Sequence, residues 1–273
     1  MRAIAAFTVG WLALWALVAA SLPRTPAIPD SALNNAIAAE RLRSDALDGR
    51  TVLLGSSLIG QLPIARFVPG ALNLGLSAHG AATGVRLVDR DAHLPAVAVV
   101  ETNELLAPPD SAYVDSLRAG VSRRSLPLRA MRFEFRPSTQ AIAALVRVSR
   151  LVRRLEPEAG KRAAERRVAE RWASLPPDTA GARTVARWVA TWLRTWQRQG
   201  VRVVLVELPQ HQLVMESAAR RAARRIVDEE LPEREFPRLR LGDRAWRTSD
   251  ARHLESDDAL EAARALAAAL ARP

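Results

Sequence analysis

The chain contains no cysteine. That excludes structural disulfides, iron–sulfur clusters and thiolate zinc sites, and it suits an oxidising compartment. Histidine is scarce: His79, His93, His211 and His253 are the full set, too few to build a histidine metal site with ease. Lysine is nearly missing, with Lys161 alone. The positive charge is therefore carried by arginine, and 40 basic against 29 acidic residues give a net +11. These arginines are spread along the whole sequence and form no basic tail. An Arg- and Ala-heavy composition also partly reflects GC-rich coding, so the charge speaks for a solvated basic surface near anionic lipid or polymer more than for nucleic acid. Internal repeats are absent. With 273 residues and 49% apolar content, the chain can bury one substantial core or two small ones, which excludes a disordered chain or a metal-stapled module.

What is present begins with a long uncharged stretch, residues 3–23. As a helix it would measure about 31 Å, enough for a hydrocarbon core of about 30 Å. Arg2 precedes it and favours a cytoplasmic N-terminus, while Arg24 on the far side weakens that bias. A cleaved signal peptide, with Val18 and Ala20 before the cut, is the competing reading; the stretch exceeds the usual apolar region of about 7–15 residues, which favours an uncleaved anchor. Residues 1–23 are thus expected to form a transmembrane signal-anchor helix. The expected location is the cell membrane, single-pass, with the remaining chain extracytoplasmic (periplasmic). Residues 24–50 read as a stiff linker, from Pro23, Pro26 and Pro29, then a leading helix capped by Ser31, carrying Leu33, Ile37 and Leu42 and ending near Gly49.

Residues 51–273 read as an α/β domain. Apolar runs predict strands at Thr51–Leu54, Ala71–Leu76, Ala96–Val100 and Val201–Leu208, with a weak fifth at Arg238–Leu241. Helical patterns at Gly80–Asp89, Leu213–Glu229 and Asp257–Ala271 alternate with them. That alternation predicts a three-layer sandwich around a central parallel sheet, flavodoxin-like in class. A block from about 138 to 200 is too long for an ordinary crossover and reads as a helical insertion. In its last helix Trp188, Trp192 and Trp196 share one face, and Arg183, Arg187, Arg194 and Arg198 line the other. Packing onto the domain is the simpler role for that tryptophan stripe; a sugar-stacking or membrane-interface surface is the alternative.

Four short motifs occur in order. Gly55-Ser56-Ser57-Leu58 follows the first strand, where a serine on a tight strand-to-helix turn is exposed and faces helix N-terminal amides. Asp250-Ala251-Arg252-His253 precedes the last helix; at this spacing Asp250 can hold His253 Nδ1 and leave Nε2 as a base. Asn73-Leu74-Gly75 and Glu101-Thr102-Asn103-Glu104 lie at strand ends between them, where a glycine N–H and an asparagine amide can converge on an oxyanion. Each motif alone is equally well ordinary turn or capping chemistry.

Together these residues resemble the SGNH (GDSL-type) hydrolase superfamily, whose four blocks carry a nucleophilic serine, an oxyanion glycine, an oxyanion asparagine and an Asp-x-x-His. The resemblance implies Ser57, Asp250 and His253 as catalytic residues, and Gly75 and Asn103 as oxyanion donors. It also implies no metal or organic cofactor. The N-terminal segment and the Gly-Ser-Ser block are similar to the branch that handles acyl groups of cell-surface polymers, such as alginate O-acetylation and lipoteichoic-acid D-alanyl transfer proteins. The expected activity is a serine esterase or O-acyltransferase on an acylated carbohydrate or cell-surface polymer. Expected partners are that polymer, the membrane through residues 3–23 and a membrane-bound acyltransferase; nucleic acid is not among them. The alternative is a non-catalytic glycan-binding or scaffold subunit of an acyltransferase or exporter complex.

This sequence departs from the family pattern at three positions. Ser56 stands where the family has Asp and competes with Ser57 as nucleophile. Glu101 and Glu104 flank Asn103, and a carboxylate there opposes an oxyanion unless it turns away, pairs with arginine or stays neutral. Pairing with arginine is the expectation. His79 and His211 follow predicted strands and border the same end of the sheet, although solvated or structural roles suit them better; His93 suggests no function.

Overall fold

A computed structural model of the chain describes residues 2–21, 31–44, 47–89, 93–120, 132–154, 157–177, 179, 181–242 and 244–272. A five-stranded parallel sheet organises them: β1 (Thr51–Gly55), β2 (Leu72–Gly75), β3 (Val97–Glu101), β4 (Arg202–Val206) and β5 (Arg238–Leu239), in the order β2-β1-β3-β4-β5. This is the doubly wound 2-1-3-4-5 order, in which the chain reverses direction across the sheet between β1 and β3. The strands are apolar almost throughout because both faces are covered, so each side chain meets a helix layer whichever way it points.

On one face Val52, Leu54, Leu72, Leu74, Val100 and Leu205 pack under α4 (Ala81–Asp89) and α8 (Ala182–Arg198), with α2 (Ser31–Ser44) at the edge. On the other, Leu53, Val99, Val204 and Val206 meet α3 (Ser57–Gly60) and α11 (Ser256–Leu270). The helical block divides. α6 (Pro137–Arg154) and α7 (Glu158–Ala173) stand off the sheet, whereas α8 covers it. Trp196 is 1% exposed in the core, and Trp188 and Trp192 pack against the same cluster, edge to face at 6.0 Å. On the polar side Arg183 and Arg187 hold Glu230, and Arg194 holds Glu235. The tryptophan stripe is thus a packing surface.

The N-terminal segment corrects the expectation of an anchor. Helix α1 spans Arg2–Ser21, and among the described residues no helix is long and apolar enough to cross a membrane. The helix instead touches the domain itself: Trp15 Nε1 donates to the Phe135 carbonyl at 3.1 Å, and Ala19 is fully buried. The single-pass placement at the cell membrane drawn from residues 3–23 falls with the anchor. Pro23, Arg24, Pro26 and Pro29 lie outside the described residues.

Candidate active site

The register brings Gly55, at the end of β1, level with Gly75 at the end of β2, and pairs Leu54 with Val100 one residue before Glu101. Three of the four sequence motifs therefore meet at one end of the sheet, beside the point where strand order reverses. The fourth arrives from far along the chain, on the loop before α11.

Ser56 is the N-cap of α3, its Oγ accepting from the Leu58 N–H at 3.1 Å. It is buried, 4% exposed, with its N–H and hydroxyl both turned to Glu101. Ser57 follows as the first residue of α3, where an amide has no intrahelical acceptor. Its Oγ lies 2.8 Å from His253 Nε2, and His253 Nδ1 lies 2.7 Å from Asp250 Oδ2. The geometry thus separates the two serines: Ser57 faces a base and Ser56 builds the turn.

The Asp-x-x-His loop is held locally. Asp250 Oδ1 accepts from the His253 N–H at 2.7 Å and the Arg252 N–H at 3.1 Å, and Ser249 N–H donates to the His253 carbonyl at 2.8 Å. Burial would raise the Asp250 pKa, but these hydrogen bonds and the adjacent imidazole outweigh it and lower it to about 2. Asp250 is therefore ionised at neutral pH and able to stabilise an imidazolium. Helix α7 braces the loop from outside: Glu165 accepts from the Thr248 hydroxyl, Ala169 packs on Ala251, and Trp172 lies under the Arg252 guanidinium at 4.4 Å.

The oxyanion donors differ from expectation. The Gly75 N–H donates to Asn73 Oδ1 at 3.0 Å, so it is already engaged. Asn73 in turn holds the carbonyls of Ile59 and Leu62 and tethers α3 to β2. Gly75 has a steric role instead: a Cβ there would lie 2.5 Å from Gly60 N and Cα and 2.7 Å from the Ser56 carbonyl oxygen. Asn103 likewise turns away, Nδ2 donating to the Leu208 carbonyl at 2.9 Å and to Gln210 Oε1 at 3.2 Å while Oδ1 accepts from the Leu208 N–H. Among the described residues, the Ser57 and Ala78 N–H groups at this end of the sheet are two that have no acceptor within the chain. Ala78 sits exposed in the loop after β2 at φ +63°, with no acceptor on its N–H among the described residues. Sequence reasoning missed it because nothing in an alanine announces a left-handed backbone. Asn35 of α2 fixes the loop, accepting from the Ser77 N–H at 2.7 Å.

The two glutamates part ways. Glu104 pairs with Arg252, the arginine partner expected. Glu101 makes no such pair: it is fully buried and binds Ser56. Burial pushes its carboxyl up to about 7; the Ser56 N–H bond opposes this, Glu104 adds to it, and the Ser56 hydroxyl and Arg220 oppose it. Of the other histidines, His79 stacks on Tyr113 at 4.0 Å, with burial lowering its pKa; His211 caps the short α9 (Gln212–Met215), and exposed His93 contacts Asp48. Among the described residues no three His, Asp or Glu side chains gather as metal ligands.

A cleft of about 530 Å³ lies elsewhere, past the ends of β4 and β5, under α10 (Ala218–Glu230). Its arginines are internally engaged: Arg220 and Arg224 on Glu207, Arg238 on Asp228, Arg240 on Glu233. The Ser57 constellation, not this cleft, carries the reactive geometry. Comparison with known proteins gives no match: no family model fits the chain, and no curated protein or solved structure is significantly similar to it.

Proposed function

We propose that the chain is a serine esterase or O-acyltransferase of SGNH type. The observation that carries this reading is the relay Ser57 Oγ–His253 Nε2–Asp250, closed at 2.8 and 2.7 Å. His253 takes the Ser57 proton as Oγ attacks an acyl carbonyl, and Asp250 holds the ring in the tautomer with Nε2 free. The developing oxyanion draws on backbone N–H groups, that of Ser57 first and that of Ala78 beside it. His253 then returns the proton to the departing alkoxide, and an acceptor attacks the acyl-enzyme. Water as acceptor completes hydrolysis; a carbohydrate hydroxyl completes transfer. The Gly-Ser-Ser form of the first block, similar to that of proteins handling acyl groups of cell-surface polymers, favours an acyl ester of a polysaccharide or related polymer as substrate.

The test is turnover of a small aryl acetate. Ser57→Ala and His253→Ala should each cost at least about 10³-fold, and the double variant should be little worse, because triad members act as a unit. Additive losses would contradict the relay.

A second reading, a non-catalytic SGNH-like binding or scaffold subunit, draws on one specific observation: both Asn103 amide protons are engaged by Leu208 and Gln210. Under it the wild type and Ser57→Ala share the same negligible turnover.

A further inference from the structure

We propose that Glu101 is the positioning residue of this site: from the end of β3 its carboxylate holds Ser56, and through Ser56 it sets Ser57 against His253. The inference rests on Ser57 being the nucleophile and extends that reading to how the site is held and switched. The geometry is complete at each link. Glu101 Oε2 accepts from the Ser56 N–H at 2.7 Å, and both carboxylate oxygens lie 3.0 Å from the Ser56 hydroxyl. That hydroxyl has one proton, so donating it to Glu101 leaves its lone pairs to accept from the Leu58 N–H. Glu101 therefore orients the cap that starts α3, and Ser57 is the next residue. The sequence makes room for this at Gly55, where a Cβ would lie 2.4 Å from Glu101 Oε2.

The hydrogen-bond pattern suits an ionised carboxylate, although burial favours the neutral one. Two donors, an N–H and an O–H, point at Glu101, and only the ionised form offers acceptors alone. The protonated form brings a third proton into a fully buried space and turns the Ser56 hydroxyl round. Filling the same volume would need only an apolar side chain. Two charged groups act on Glu101: Glu104, itself paired with Arg252, and Arg220 of α10, which holds Glu207. Neither touches it, and burial dominates, so Glu101 titrates near neutrality and not in the usual carboxylate range. Ser57 then attacks fastest when Glu101 is ionised, and acidification removes that condition.

The experiment is the rate of fluorophosphonate labelling of the full chain as a function of pH. In the wild type the rate should fall on the acid side by one proton more steeply than in Glu101→Gln. Glu101→Gln should also label at least about tenfold more slowly at pH 8, as expected when a nucleophile is misplaced by a fraction of an ångström. Glu101→Asp should restore the wild-type steepness. Ser56→Ala, which keeps the carboxylate and its N–H bond but loses the hydroxyl contacts and the cap on Leu58, should also slow labelling, and it serves if Glu101→Gln does not fold. Wild-type rate and steepness in either Glu101→Gln or Ser56→Ala would overturn the proposal. Absence of labelling in the wild type, or labelling that survives Ser57→Ala, would instead defeat the nucleophile reading and this proposal with it.

Discussion

Two carboxylates in this molecule respond to pH in opposite directions. The Asp250 carboxyl is held at about 2, below its ordinary 3.8, so its stabilising effect is present above pH 3.8 and lost as pH falls through about 2. Glu101 is the reverse. Its folded-state carboxyl stands at about 7 against an ordinary 4.5, so its contribution is full below pH 4.5 and is lost as pH rises through 7. At about 1.4 kcal/mol per unit, ionising Glu101 costs on the order of 3 kcal/mol of folding stability. Chemical denaturation should show the wild type losing that much between pH 4.5 and pH 8, and Glu101→Gln losing far less; equal losses would mean Glu101 is not desolvated. The glycine at 75 sets a steric limit beside it. Gly75→Ala places a methyl against the backbone of Gly60 and Ser56, which cannot rotate away. The expected result is a destabilisation of about 1–3 kcal/mol together with loss of turnover, because the strained segment carries Ser57.

At the scale of elements, apolar runs marked the sheet well: expected strands at 51–54, 71–76, 96–100 and 201–208 correspond to β1, β2, β3 and β4 within two residues at each end. Burial on both faces writes strands as continuous apolar runs, which is why they were legible. The uncharged N-terminal run was misleading for the same reason. Lack of charge marks a stretch that can be buried without saying against what, and Trp15 and Ala19 of α1 meet the domain itself. Ser57 and the Asp-x-x-His pair were readable as candidates because such chemistry depends on residue type and short spacing. Gly75 and Asn103 were not, since a donor's role depends on where its hydrogen points, and here Asn73, Leu208 and Gln210 decide that. The two tryptophan environments separate cleanly by substitution. Trp196→Ala, in the core on α8, should cost about 3–5 kcal/mol. Trp172→Ala, on α7 with 38% exposure over Arg252, should cost about 1 kcal/mol or less. Thermal or urea melts distinguish the two, and comparable losses would mean that α7 is as integral to the core as α8.

The whole molecule explains why residues 57, 101 and 253 come together. Parallel strands all deliver their carboxyl ends to one edge of the sheet, and the reversal of order between β1 and β3 opens a crevice there. Ser57 stands at the head of α3 in that crevice, with the loop after β2 on one side and Glu101 on the other. The Asp-x-x-His loop closes over it, tied by α7 through Thr248, Ala251 and Arg252. Inside this frame Glu101 is fully buried against Ser56.

Whether Ser57, His253 and Asp250 form a working relay is decided by intact-mass analysis of the full chain after exposure to a fluorophosphonate. A single stoichiometric adduct is predicted, mapping to Ser57, absent in Ser57→Ala and slowed by orders of magnitude in His253→Ala and Asp250→Asn. A folded protein that takes up no adduct, or takes it on Ser56, would contradict the account.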